Sequence, residues 1–272
     1  MQAAVALMAV GMFFSVFMFV IAHKAADETR SQSSRHTTQN YSSSAQRDAE
    51  QLLQRATAND AAAARQIETR AATWKGRIQL TPQLTNLVTA GLNASDIRIR
   101  SATVQLDLAA MNVAEDSGSV DTLATQADSP DHATRIWALW TLGLLANRGV
   151  ATNRIAELLT AHLSDSDIEA RRWAVEGLAY SGADAALQPL LKTMRDDTSP
   201  MVRERAACSL AESGMFTADQ RRSVIPTLLA YAGDSELDAA TRAWTFHALR
   251  DITGQRLPDD AAKWTDWYER NR

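Results

Sequence analysis

The five histidines of this 272-residue chain could bind a metal or transfer a proton, but none is paired at a helical metal-binding spacing. Neither His-x-x-x-His nor His-Glu-x-x-His occurs, and these spacings place two ligands on one face of a helix. Cys208, the single cysteine, excludes a cysteine cluster for zinc and an intrachain disulfide framework. The segment "DSDIEARR" begins like a calcium loop but lacks the loop glycine and the bidentate glutamate. We therefore predict that the chain has no metal site.

Signatures of catalysis are also missing from the sequence. There is no Gly-rich phosphate loop and no nucleophile elbow. The acidic pairs Asp196–Asp197 and Asp259–Asp260 are adjacent in sequence, so we interpret them as turn caps rather than as carboxylates placed across a substrate. We predict a protein that is not an enzyme, with no catalytic residues, no cofactor and no small-molecule substrate.

Tryptophan is the residue type whose placement most suggests recognition, because large aromatic side chains are typical binding anchors. The segment "ARRWAVEGLAYSG", residues 170–182, places Trp173 and Tyr180 in a small-residue helix that ends at Gly182. Whether such side chains bind a partner or pack in a core depends on the helices that position them.

The composition indicates a helical chain with a substantial core. Hydrophobic residues make up 46% of the sequence, which contains only 11 glycines and 6 prolines. Residues 81–272 contain 19 basic and 26 acidic side chains. Because nucleic-acid binding needs a basic surface that neutralises phosphates, we expect no nucleic-acid partner.

A unit of 32 to 39 residues recurs from residue 81 onward, and one arginine marks each of its five copies. Asp precedes this arginine by four residues in four copies, and leucine follows it by seven residues in four copies. The aspartate is expected to cap the second helix of a helix pair, and the arginine to join an Asp–Arg ladder between copies. One pair cannot bury its apolar face alone, so the copies must stack. The marker arginines are Arg100, Arg135, Arg171, Arg203 and Arg242.

The Asp-x-x-x-Arg turns, the small-residue second helices, and Pro189 and Pro226 in the first helices resemble the HEAT repeat family, including its bacterial phycobilisome-lyase-like variant. The resemblance covers residues 81–254 and implies an all-α, right-handed solenoid of about five helix pairs. Residues 47–80 are predicted to form an N-terminal helical segment, and residues 255–272 a Trp-rich C-terminal cap. Such solenoids serve many unrelated roles, so the fold alone does not identify the function.

Helical geometry divides each second helix into a core side and an opposite side. At about 100° per residue from the marker arginine, positions +3, +4, +7 and +11 cluster toward the core, whereas +2, +5 and +9 fall opposite. We expect the latter positions to line the concave surface and to bind a protein or peptide. Alternatively, the tryptophans pack between neighbouring repeats and seal the seam. The candidate binding residues are Trp137, Trp140, Trp173, Tyr180, Arg205, Trp244 and His247.

Residues 3–22, "AAVALMAVGMFFSVFMFVIA", carry no charge and are long enough to cross a bilayer as one helix. A cleavable signal peptide is the rival interpretation, but the apolar run is long and no basic residue precedes it. We predict a single-pass transmembrane anchor over residues 1–24 and a flexible polar linker over residues 25–46. Basic residues follow the run, which favours a cytoplasmic solenoid, with a periplasmic or other extracytoplasmic location as the alternative.

Together these features predict a membrane-tethered protein–protein interaction scaffold. One alternative is a structural subunit of a larger membrane complex, held through its anchor. Another is a bilin-lyase-like enzyme, which only the resemblance to the variant repeat family implies. An enzyme would need a deep pocket with convergent polar groups, whereas the predicted face carries aromatic side chains and few titratable ones.

Overall fold

The computed structural model describes residues 43–271, and every regular element in that range is helical. The predicted anchor over residues 1–24 lies outside the described residues, as does most of the predicted linker. The first helix begins at Ser43, so the last residues of that linker are helical. Among residues 43–271, no helix combines the length and the apolar content needed to span a bilayer.

The helices follow one another as antiparallel pairs, a first helix and then a second helix, joined by short turns. A short helix, α11, precedes the first helix of the last pair, and α14 ends the described chain. The helices are α1 (Ser43–Thr57), α2 (Ala61–Trp74), α3 (Pro82–Leu92), α4 (Ile97–Ala110), α5 (Ser117–Ala127), α6 (His132–Asn147), α7 (Thr152–His162), α8 (Ile168–Ser181), α9 (Leu187–Asp196), α10 (Pro200–Cys208), α11 (Ala218–Ser223), α12 (Ile225–Ala232), α13 (Ala239–Thr253) and α14 (Ala261–Asn271).

The chain divides into two compact units, Met1–Thr141 and Leu142–Arg272, with the boundary inside α6. In the first unit, α2 packs against α4 and α1 against α3, so the pair α1–α2 stacks on the pair that follows it. In the second unit, α10 packs against both α8 and α13, and each of these second helices also packs on its own first helix. The expected all-helical repeat solenoid is confirmed.

Aspartates begin most of the second helices, as the repeat pattern predicted. Asp96, Asp167 and Asp238 accept hydrogen bonds from free backbone N–H groups at the N-termini of α4, α8 and α13. Hydrogen bonds from the side chain and backbone of Thr241 hold the pKa of Asp238 below its ordinary value, so this cap is ionised at neutral pH. At the start of α10, Ser199 takes the cap position without a side-chain cap bond.

The marker arginines connect consecutive turns of the second unit. Arg171 donates from Nη1 to the carbonyl oxygen of Asp165 at 2.9 Å and from Nε to the carboxylate of Asp197 at 2.9 Å. Arg203 repeats the arrangement, with Nη1 donating to the Asp197 carbonyl at 2.7 Å and Nη2 to the Asp238 carboxylate at 3.2 Å. The expected Asp–Arg ladder is therefore present on these two turns. Each arginine satisfies a carbonyl of its own repeat and pairs with a carboxylate of the next.

The C-terminal helix α14 covers part of the second unit through its tryptophans. Trp264 is fully buried, and its indole N–H donates to the carbonyl oxygen of Pro258 at 3.0 Å. Trp267 meets Trp264 edge to face, with ring centroids 6.0 Å apart. α14 packs against α12, the first helix of the last pair.

Two glycines allow the helices α6 and α8 to touch within the second unit. A Cβ atom placed on Gly143 would overlap the Cα and carbonyl atoms of Gly177. The atoms in the way belong to the backbone rather than to a flexible side chain, so the two helices can cross at this distance only because Gly143 has no side chain.

Gly143→Ala should therefore destabilise the protein, because its methyl group forces α6 and α8 apart. Overpacking of this kind costs about 1–3 kcal/mol, which urea unfolding would measure as a lower free energy of unfolding. Gly118→Ala in α5 is the matched control, because a Cβ there meets only ordinary van der Waals contact. Equal stability of the two variants would contradict the close crossing.

Candidate functional site

The structure separates the seven candidate binding residues into a buried group and a half-buried group. Trp140, Trp173 and Tyr180 are buried, with at most 5% of each accessible to solvent. A protein partner cannot reach rings at this depth without displacing a helix. The half-buried group consists of Trp137, Arg205, Trp244 and His247.

Trp173 lies within the wall of the second unit. All residues of α8 from Ala170 to Ser181 are buried. The Arg172 guanidinium lies 5.9 Å from the centroid of the indole ring, a cation–π distance, and Arg172 also contacts Glu169 at 3.4 Å. These contacts support the alternative that Trp173 packs between neighbouring repeats rather than binding a partner.

Arg205 ties two neighbouring second helices together. Its Nη2 donates to Glu176 Oε2 in α8 at 2.8 Å and to Ser213 Oγ at 3.3 Å. The side chains of Arg205 and Glu176 are 15% and 6% exposed, so the pair is shielded from solvent. Breaking it would leave one charge buried without its partner. The guanidinium is thus committed to an inter-repeat contact.

An accessible surface remains on the second helices α10 and α13, which pack against each other. We call it the α10–α13 face. On α13, Trp244, His247 and Asp251 are spaced by three and four residues, so they lie along one side of the helix. Trp244 and His247 are half-buried, whereas Asp251 and Glu212 are exposed. The face comprises Glu204, Cys208, Glu212, Trp244, His247 and Asp251.

Cys208 marks the point where the acidic groups of this face converge. Burial raises the pKa of its thiol to about 11, against the opposing effect of Arg205. The carboxylates of Glu204, Glu212 and Asp251 also raise it, so side chains from both helices lie near the sulfur. A thiol with this pKa is protonated at neutral pH and is a poor nucleophile.

Three carboxylates, those of Glu204, Glu212 and Asp251, belong to the α10–α13 face. Burial raises the pKa of Glu204, against the opposing effect of Arg205. His247 Nδ1 lies 3.7 Å from Asp251 Oδ2. Within residues 43–271, no group of three His, Cys, Asp or Glu side chains is arranged to hold a metal ion. The face thus combines a half-buried aromatic ring with exposed carboxylates.

Sequence reasoning missed the element that positions Glu212. The chain continues α10 as a π-helical turn, Ser209–Ser213. Arg221 in α11 donates to the carbonyl oxygens of Leu210, Glu212 and Gly214 at 2.8–3.0 Å and so caps this turn. Arg221 does not occupy any of the recurring positions of the repeat unit, so the repeat pattern did not predict this contact.

Trp173 and Trp244, the two candidate binding tryptophans of the second unit, should respond differently to truncation. Trp173→Ala should lower the free energy of unfolding by about 3–5 kcal/mol, because it removes a buried ring. Trp244→Ala should cost clearly less, because that ring is half-buried. Urea unfolding of both variants distinguishes a tryptophan that packs in the core from one that is available to a partner. Leu178→Ala is the control, because it opens a cavity in the core. A Trp173 variant as stable as the Trp244 variant would contradict the packing role.

Comparisons with known proteins match the chain to a family model and to solved structures. One similar structure is an engineered protein from a structural genomics consortium, with 18% sequence identity and a TM-score of 0.39; the match covers 76% of this chain and 97% of that one. Another is a designed armadillo repeat protein in complex with the peptide (KR)4, with 17% sequence identity and a TM-score of 0.35. That match covers 75% of this chain and 99% of the other. No curated protein matches the chain. The family model for HEAT repeats matches residues 120–211 and 155–250, without distinguishing the lyase-like variant. The match supports the HEAT repeats expected from the sequence over residues 120–250.

Proposed function

We propose that this chain is a membrane-tethered scaffold that docks a protein partner on the α10–α13 face. The observation that carries the proposal is the accessible side of two packed second helices, where a half-buried tryptophan lies beside exposed charged groups. Half-buried aromatic side chains surrounded by polar ones are typical of binding hot spots. The HEAT repeats supply a rigid support for such a surface, because each helix pair is held by its neighbours.

The uncharged run over residues 3–22 supports the tether, and the polar linker after it would let the solenoid reach a partner near the bilayer. The basic residues that follow the run support a cytoplasmic location.

Deleting residues 1–24 should leave a folded chain in the soluble fraction. If the chain is expressed at full length and recovered as soluble protein with an N-terminus near Ala25, the apolar run is instead cleaved as a signal peptide.

Affinity capture with the full chain in a mild detergent tests the docking face. The combined change Trp244→Ala and His247→Ala should weaken capture at least about tenfold, because anchors at a binding hot spot carry most of the binding energy. Asp219→Ala on α11 is the control, because its side chain is 95% exposed and lies outside the face. Thermal melts confirm that each variant remains folded.

Two outcomes would count against the proposal. If the double variant captures the same proteins as the wild-type chain, the partner does not dock on the α10–α13 face. If captured proteins are lost only when residues 1–24 are deleted, the chain is a structural subunit that is held through its anchor.

A further inference from the structure

We infer that the partner lays a helix alongside α13, in the place that a further second helix would take, with a carboxylate at the start of that helix paired to Arg242. This inference rests on the proposed function and adds the form and the chemistry of the partner. It follows from the uncovered side of α13, from a marker arginine that pairs with no described carboxylate, and from the spacing of the contacts between second helices.

The side of α13 that points onward along the stack is not covered by another second helix. In α8, which packs against α10, the residues one and five positions after the marker arginine are Arg172 and Glu176, and both are at most 5% exposed. The equivalent residues of α13 are Ala243, which is exposed, and His247, whose side chain is 39% exposed. The C-terminal helix α14 packs on α12. It therefore takes the place of a further first helix and leaves that of a further second helix open.

Arg242, the marker arginine at this open end, lacks the carboxylate that the same position has in the two preceding repeats. Arg171 and Arg203 each bond a carbonyl of their own repeat and pair with a carboxylate of the next one. Arg242 donates from Nη1 to the carbonyl oxygen of Asp234 at 3.3 Å, but it pairs with no carboxylate of residues 43–271. A carboxylate from a partner would complete the ladder with a charge-assisted hydrogen bond.

Two contacts within the chain give the register between neighbouring second helices. Ser101 lies five residues after the N-cap of α4 and donates at 2.8 Å to Glu68, which lies eight residues after the N-cap of α2. Arg205 lies six residues after the N-cap of α10 and donates to Glu176, which lies nine residues after the N-cap of α8. In both cases, a second helix contacts the preceding one three positions farther along.

The same register indicates which charges the partner helix carries. Asp251 lies thirteen residues after the N-cap of α13, so it would face the residue ten positions after the N-cap of the partner helix. The side chain of Asp251 is 32% exposed, so a lysine or arginine at that position can reach it. We therefore expect a partner helix with an acidic residue at its start, against Arg242, and a basic residue ten positions later.

Other occupants fit the open side of α13 less well. A second copy of this chain would bring its helix pair α1–α2, and α1 would meet α14 in the place of the further first helix. A phosphate backbone could pair with Arg242, but it would also bring negative charge to Asp251. A single helix with one charge of each sign matches both the open space and the charges of α13.

Fluorescence anisotropy with labelled helical peptides tests the inference on the full chain in a mild detergent. The probe is an alanine-rich peptide of about 20 residues, long enough to be helical in water, with Asp at its start and Arg ten residues later. It should bind the wild-type chain, and Arg242→Glu should weaken binding at least about tenfold, because like charges then face each other. A second peptide with Lys in place of that Asp should prefer the Arg242→Glu chain over the wild-type chain.

Two further variants separate this contact from overall charge and from folding. Arg154→Glu makes the same change of charge at an exposed position of α7 and should leave the binding of both peptides unchanged. Ala243→Tyr should abolish binding without altering any charge, because its ring fills the space where the peptide would lie. Ala243 is exposed, so the chain should still fold, and thermal melts of each variant check this.

Four outcomes would overturn the inference. If Arg154→Glu changes peptide binding as much as Arg242→Glu does, the binding reflects overall charge and the inference is wrong. If neither peptide binds while protein capture still depends on Trp244 and His247, the inference fails and the proposed function stands. If capture is also independent of these two residues, both fail. If the full chain self-associates and Arg242→Glu abolishes the association, the occupant is a second copy rather than a partner helix.

Discussion

The stacking of helix pairs determines where every other feature of this protein can lie. A single pair leaves an apolar side exposed, so each second helix must pack on its own first helix and on the second helices of the neighbouring repeats. α8 shows the result, because its residues from Ala170 to Ser181 are all buried. The glycine crossing with α6, the arginine at the start of α8 and the indole of Trp173 are three consequences of that enclosure.

Arginines serve this stack in two different ways. Arg171 and Arg203 lie at the turns, where each joins a carbonyl of its own repeat to a carboxylate of the next. Arg205 lies farther along α10 and reaches Glu176 across the helix interface. The contacts that hold the repeats together therefore fix the positions of these arginines.

The recurring positions of the repeat unit predicted the features that depend on local sequence. The aspartate caps and the ladder arginines are recognisable because the cap and the arginine are four residues apart, as at Asp167 and Arg171. The same repeat pattern places Trp173 and Trp244 two residues after their marker arginines, yet the two side chains are buried to different extents. α8 packs against the following second helix, α10, whereas α13 is the last second helix and the next helix, α14, packs on α12. Burial thus depends on neighbours that no single repeat encodes.

Cross-linking from one position of the α10–α13 face would show directly whether a partner docks there. Cys208→Ala removes the only native thiol, so that His247→Cys places a single cysteine on the face for a photoactivatable cross-linker. Docking on this face predicts that a partner protein is trapped from this position and that none is trapped from Asp219→Cys on α11 in the same background. Trapping from position 219 but not from position 247 would contradict it.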